Sequence, residues 1–314
     1  MKGYAITRRQ ESRISEATQG AFNAGLYSRF IEYLDASEKT IQTYTRALKQ
    51  FFAFLQRQEI TAPTVDTIRA YKKELTASVK PATVQAYIFV VRKFFSWAET
   101  EGLYPNIAGQ IKGAKIDREP KKDYLTSSQV KAVLSEVDRS TIQGKRDYAI
   151  LALMVTCGLR DIEVSRANKE DLRTVGNNTA LFIQGKGHTE KADFVIVPEA
   201  TEAAIREYLS AKSDASEALF TSLSNNSKGQ RMTTRSISGV CKEAMKAAGY
   251  NSERLTAHSL RHTAVTLALI ANGGNIQEAQ QFARHANIST TQIYAHNLEK
   301  QNNTCSRLVA SEIF

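Results

Sequence analysis

Three cysteines, five prolines and one tryptophan are few for 314 residues. The cysteines, Cys157, Cys241 and Cys305, are odd in number and far apart, with no CxxC pair. That excludes a disulfide-built scaffold and a cysteine-based zinc site, and leaves packed, reduced thiols. No stretch approaches the roughly 20 consecutive apolar residues of a membrane span. The opening segment, MKGYAITRRQESRISEATQG, lacks the apolar core of a secretory signal, so a cytoplasmic protein with no membrane partner is expected. The GKG turn at Gly185–Gly187 lacks the Walker spacing and its following Ser or Thr, which argues against an ATPase.

Hydrophobic residues make up 42% of the chain and charged residues 24%, enough apolar material for real cores. The length suggests two domains. The net charge is +10, with a pI near 9.4, and this favours a polyanionic partner, nucleic acid first. The excess is uneven. Residues 1–122 hold 20 Lys and Arg against 12 Asp and Glu, a net +8; residues 123–314 hold 22 against 20, a net +2. A basic first part and a balanced second part fit a binding domain followed by a domain with a specific site.

Residues 1–21 read as a short polar tail and 22–110 as a helical domain. Ile41, Tyr44, Leu48, Phe51, Phe52 and Leu55 recur at helical spacing. A second helix over 64–76 aligns Ile68, Tyr71 and Leu75. Pro81 suits the first turn of a third, whose stripe is Val84, Tyr87, Val91, Phe94, Phe95 and Ala98. The aromatics are expected in the core. The basic residues between and beyond them, Arg46, Lys49, Arg92, Lys93, Lys112 and Lys115, are the candidates for phosphate contacts. IKGAKIDREPKK, residues 111–122, breaks the pattern and reads as a basic linker.

The second domain, 123–314, opens on a capping-box pattern, Thr126 with Gln129. A strongly apolar helix over 146–156 ends near Gly158. ALFIQ and DFVIV predict two strands joined by the turn GKGHTEKA, and helices follow at 199–211, 233–248, 258–272 and 276–284. The fold class expected is mainly α with a small antiparallel β-sheet.

Certain polar residues of this domain gain meaning together. Arg160 follows the Gly-Leu turn of CGLRDIEVSR, Lys186 sits in the hairpin turn, and His258 and Arg261 lie in TAHSLRHTA. His285 and Tyr294 lie in ARHANISTTQIYAH. Transesterification of a phosphodiester concentrates negative charge on the non-bridging oxygens. Two guanidinium groups, Arg160 and Arg261, can clamp those oxygens without a metal ion. His258 and Arg261, three apart, share a helix face. A tyrosine hydroxyl can form a covalent intermediate while an imidazole takes its proton. A lysine on a hairpin can protonate the leaving 5′ oxygen. A zinc reading of His258 and His262, four apart, fails for want of the glutamate of HExxH and because Arg261 would repel the cation. His262 and His296 are expected to support or pack.

In this order, Arg, Lys, His-x-x-Arg, His, Tyr, the chain resembles the tyrosine recombinases, including the phage integrases and the Xer recombinases. GLRDIEV matches the first arginine box, HSLRHT the second, and TTQIYAH the nucleophile segment. Glu163 falls where that family has an acid supporting the first arginine. The resemblance covers nearly the whole chain. It implies that 22–110 is a helical, SAM-like core-binding domain, that 123–314 is the catalytic domain, and that the family's C-shaped clamp encloses DNA. It further implies double-stranded core sites as substrate, a dimer per site and a homotetramer on two paired sites, and leaves room for an accessory protein. No cofactor or metal is expected, because the covalent link conserves the bond energy.

Two departures stand out. The family usually reads Leu-Gly-His where this chain has Ala283-Arg284-His285. The hairpin commonly reads GKGxKxR where this chain has GKGHTEKA, which leaves Lys191 as a second candidate beside Lys186. A type IB topoisomerase, an inert DNA-binding protein built on this fold and a metal-dependent nuclease remain as alternatives.

Overall fold

The chain divides into two compact units, Met1–Arg118 and Glu119–Phe314. The computed structural model describes residues 24–115, 123–185, 190–301 and 304–314. The expected tail, the second part of the expected linker, and Lys186 lie outside the described residues.

In the first unit α1 (Ala24–Tyr33) leads to α2 (Glu38–Arg57), α3 (Val65–Ser78) and α4 (Pro81–Thr100). The stripes read in the sequence meet one another. Phe51 of α2 and Phe94 and Phe95 of α4 are fully buried, with Phe30 of α1 and Tyr71 of α3. Phe30 meets Phe94 edge-on at 5.3 Å between centroids, and Phe51 meets Tyr71 at 5.1 Å. Such edge-to-face pairs add to the area term of burial. Thr64 caps α3, and Pro81 occupies the first turn of α4. Behind α4 the chain is anchored by Tyr104, whose hydroxyl donates to Pro63 O at 2.7 Å. All six basic candidates, Arg46, Lys49, Arg92, Lys93, Lys112 and Lys115, are exposed.

The second unit is built on α6 (Ile142–Thr156), apolar on nearly every side, with Ala149 through Met154 buried. A helix of that kind belongs in the middle of a core. It packs against α8 (Glu199–Ala211) and α10 (Ala257–Ala271). The capping box of α5 (Ser127–Ser135) forms as its sequence predicts: Gln129 N–H donates to Thr126 Oγ1, and Thr126 N–H to Gln129 Oε1. Between α7 (Asp161–Arg166) and α8 lies a three-stranded antiparallel sheet: β1 (Leu172–Val175), β2 (Asn178–Ile183) and β3 (Asp193–Ile196). Its register sets Leu172 opposite Leu181, and Leu181 opposite Val195. The sequence predicts β2 and β3; β1, LRTV, is too short and too polar to show a period. The unit closes with α9 (Thr234–Ala247), α11 (Ile276–Ala283), α12 (Ile288–Gln301) and α13 (Cys305–Ile313). Among the described residues no helix is long and apolar enough to cross a membrane.

Candidate active site

Three chain segments converge around Tyr294. The first follows α6. Gly158 takes φ +59, a conformation that costs a glycine nothing and that L side chains avoid. A Cβ there would lie 3.0 Å from the Phe282 ring. The turn delivers Arg160 in extended backbone as the N-cap of α7. Glu163, in the first turn of α7, is buried and binds Arg160 twice. Its carboxylate accepts the Arg160 backbone N–H at 2.8 Å and Nη1 at 2.6 Å. One acid therefore caps the helix and aims the guanidinium.

The second element is α10. Arg261 is 1% exposed and donates through Nη1 to Gly158 O and through Nη2 to Ala283 O. Both acceptors are carbonyls at helix C-terminal ends, where a cation is favoured. His258, exposed, lies one turn earlier. Its ring meets that of His262 at 4.7 Å, and His262 in turn meets Tyr294 at 4.9 Å.

The third turn joins α11 to α12. Arg284 ends α11 in left-handed backbone, φ 52 and ψ 47. His285 follows, its N–H donating to Gln280 O and its own carbonyl accepting Gln280 Nε2 at 2.9 Å. His285 Nδ1 pairs with Thr291 Oγ1 at 2.9 Å, which leaves Nε2 for the site. Tyr294, on α12 and 8% exposed, stacks on His285 with 6.1 Å between centroids.

The β2–β3 hairpin carries the two lysine candidates. Lys186 lies outside the described residues. Lys191 is ion-paired with the buried carboxylate of Asp171, through the Oδ2 that also accepts Asn168 N–H. Its ammonium is held by a buried counter-charge at the base of the hairpin.

The electrostatics favour an anion. Burial first, then Arg160 and Arg284, pushes Arg261 down to about 9, still a cation at neutral pH. Burial and the cations Arg261, Arg160 and Arg284, with His262, push His285 down to about 4, so its imidazole is neutral at pH 7. Burial raises the Tyr294 phenol, while Arg261 and Arg160 pull it back. Burial raises the Glu163 carboxyl too, but Arg284 and Arg160 outweigh it and hold the group below the usual carboxylate range. Three guanidinium groups thus surround one buried carboxylate.

The structure brings together Arg160, Glu163, Arg261, His285 and Tyr294 from segments far apart in sequence, with His258 linked through His262. Arg284 has no role in the sequence motifs beyond standing where the resembled family usually reads glycine, and the ring of His262, expected to support or pack, lies 4.9 Å from that of Tyr294. In the first unit sequence reasoning passed over Arg69, Lys72 and Lys73, which line one cleft with Lys112. The signal there was Arg69 with Lys72 and Lys73 at one-turn spacing on α3.

The phage integrase family model matches residues 123–301, and the phage integrase N-terminal SAM-like domain model matches 27–102. Tyrosine recombinase XerD of Lacticaseibacillus casei is 30% identical over 290 residues, covering 87% of this chain and 94% of that one. Among solved structures, the XerH site-specific recombinase bound to palindromic difH substrate, a post-cleavage complex, superposes with a TM-score of 0.70 at 20% identity, covering 85% of this chain and 80% of that one. The lambda integrase tetramer bound to a Holliday junction gives 0.66 at 16% identity, covering 93% and 88%. These two structural likenesses are likenesses of fold.

Proposed function

The chain belongs to the phage integrase family, the tyrosine recombinases, and from that premise we propose that it is a site-specific recombinase that cuts and rejoins DNA through a 3′-phosphotyrosine at Tyr294. One observation carries the assignment of the nucleophile. Tyr294 is a buried phenol between two imidazole rings, within the field of two arginines.

The roles follow from the chemistry. Arg160 and Arg261 hold the non-bridging oxygens of the scissile phosphate, with hydrogen bonds from His258 and His285. Tyr294 Oη attacks phosphorus and forms the new P–O bond, while a neighbouring imidazole takes the phenol proton. The bond from phosphorus to the 5′ oxygen breaks, and Lys186 protonates that oxygen. Lys191 is the weaker candidate because Asp171 holds its ammonium. A 5′ hydroxyl from a partner duplex then attacks the phosphotyrosine and restores Tyr294. The covalent link stores the energy of the broken bond, so the cycle needs no ATP. Glu163 positions Arg160. Arg46, Lys49, Arg92, Lys93, Lys112 and Lys115, joined by Arg69, Lys72 and Lys73, contact the DNA backbone.

The substrate is a pair of double-stranded core sites, each bound by two protomers, with a homotetramer carrying out exchange. The lambda integrase tetramer on a Holliday junction supports that assembly. So does the end of the chain, where Leu308, Val309 and Ile313 of α13 and the following Phe314 are exposed. An apolar end of this kind fits a pocket on a neighbouring protomer.

The test is covalent trapping on a library of nicked duplexes in EDTA, comparing the parent chain with Tyr294→Phe. A denaturant-resistant adduct from the parent chain alone is the expected result, and sequencing it gives the site. Adduct formation by Tyr294→Phe would sink the nucleophile assignment. Salt-sensitive binding without any adduct points to an inert DNA-binding protein, and an adduct lost in EDTA to a metal-dependent enzyme.

A further inference from the structure

Arg284 is the most connected side chain of the site, although no step of the reaction calls for it. Nη1 donates to Phe282 O at 2.9 Å and Cys157 O at 3.3 Å; Nη2 donates to Gly158 O at 3.3 Å and Glu163 Oε2 at 3.0 Å. The side chain is 10% exposed. The buried Nε has no hydrogen-bond partner, and Asp193 Oδ2, at the start of β3, lies 4.0 Å from it. One planar fork thus ties the end of α6, the acid of α7 and the end of α11, and reaches towards the strand that follows the hairpin turn. Its backbone is left-handed, a conformation disfavoured for a side chain of this size. A strained backbone and a buried guanidinium are retained together only where the surroundings over-determine both.

We infer that Arg284 is a positioning residue for strand cleavage, a third arginine that holds Glu163, and through it Arg160, together with the Gly158 carbonyl that Arg261 also binds. This rests on the function proposed above. All four hydrogen bonds of Arg284 go to protein groups, three backbone carbonyls and the Glu163 carboxylate, so it acts through its neighbours. The charged groups facing Glu163 are Arg284 from the end of α11, Arg160 at the start of its own helix and Arg261 from α10. Those facing His285 are Arg261 and His262 from α10, Arg160 from α7, and Arg284 beside it. Loss of Arg284 therefore raises the midpoints of both Glu163 and His285.

The experiment measures single-turnover adduct formation against pH, on the site recovered with the parent chain, for Arg284→Gly, Arg284→Lys, Glu163→Gln and the double variant Arg284→Gly/Glu163→Gln. Glycine suits the left-handed backbone; lysine keeps the charge without the fork. Arg284→Gly should bind DNA as the parent does, react about tenfold more slowly at neutral pH, and lose activity at a higher pH on the acid side. Arg284→Lys should fall between the two. Because Arg284 acts in part through the Glu163 carboxylate, the double variant should lose clearly less than the product of the two single losses. Rates and acid limbs for both Arg284 variants matching the parent, or losses that multiply in the double variant, overturn the inference while leaving the recombinase reading intact. Should Arg284→Gly fail to fold, Arg284→Lys decides by the same two readouts. A parent chain that forms no adduct overturns both.

Discussion

At the scale of single residues the site is a problem of too much positive charge. Arg160, Arg261 and Arg284 stand around Glu163, and burial together with those cations makes His285 give up its proton. The unfolded imidazole titrates near 6.5 and the folded one near 4. Between those values the unfolded chain binds the extra proton, so stability rises with pH across the window. The contribution is complete above 6.5 and is lost as pH falls towards 4. Proton NMR of the free protein should follow the His285 ring titrating near 4; a midpoint near 6.5 would refute a buried ring beside these cations. A DNA phosphate brings negative charge, so the same midpoint should move up in the complex. The candidate residues were legible because each carries its motif locally: GLRDIEV, HSLRHT, TTQIYAH. What could not be read was the company each keeps. Nothing in the sequence places Gly158 O against Arg261, since that contact joins residues 103 apart. Arg284 was legible as a departure, and its partners only from the fold.

At the scale of elements, long amphipathic helices such as α2 and α4 were legible because their apolar stripes repeat over several turns, whereas α7 and β1 are too short to show a period. The hairpin poses the sharper question of which lysine is the acid. Lys191 is held by Asp171, whose carboxylate is 1% exposed and whose Oδ1 has no hydrogen-bond partner. Lys191→Met would strand a buried carboxylate. The cost should be on the order of 2–3 kcal/mol, short of the full penalty for a buried pair because Lys191 keeps 24% of its side chain exposed. Lys186→Ala should leave the melting temperature alone and slow cleavage. A substrate whose 5′ bridging oxygen is replaced by sulfur has a leaving group that needs no proton, so it should restore cleavage to Lys186→Ala. If that substrate rescues Lys191→Met instead, with stability unchanged, the roles of the two lysines are exchanged.

At the scale of the whole molecule the charge is divided as the work is. The first 122 residues carry a net +8 and the remainder +2. A diffuse basic surface gives affinity without chemistry, because phosphate contacts release counterions whatever the base sequence. DNA binding should therefore weaken steeply with salt. Replacing Lys72 or Lys112 by alanine should lower the salt slope by about one for each phosphate no longer neutralised, equally on specific and random duplexes. A flat salt response would remove DNA as the partner. In the proposed assembly the contact falls at the other end of the chain. Leu308, Val309 and Ile313 of α13, and Phe314 just after it, are all more than half exposed. Each such group gains only on leaving water, and a second protomer on the same site offers that. Truncation before Cys305 should leave binding of one protomer to a half-site unchanged and abolish cooperativity between half-sites. Cooperativity that survives the truncation would place the assembly contact elsewhere and leave α13 an element without a role in exchange.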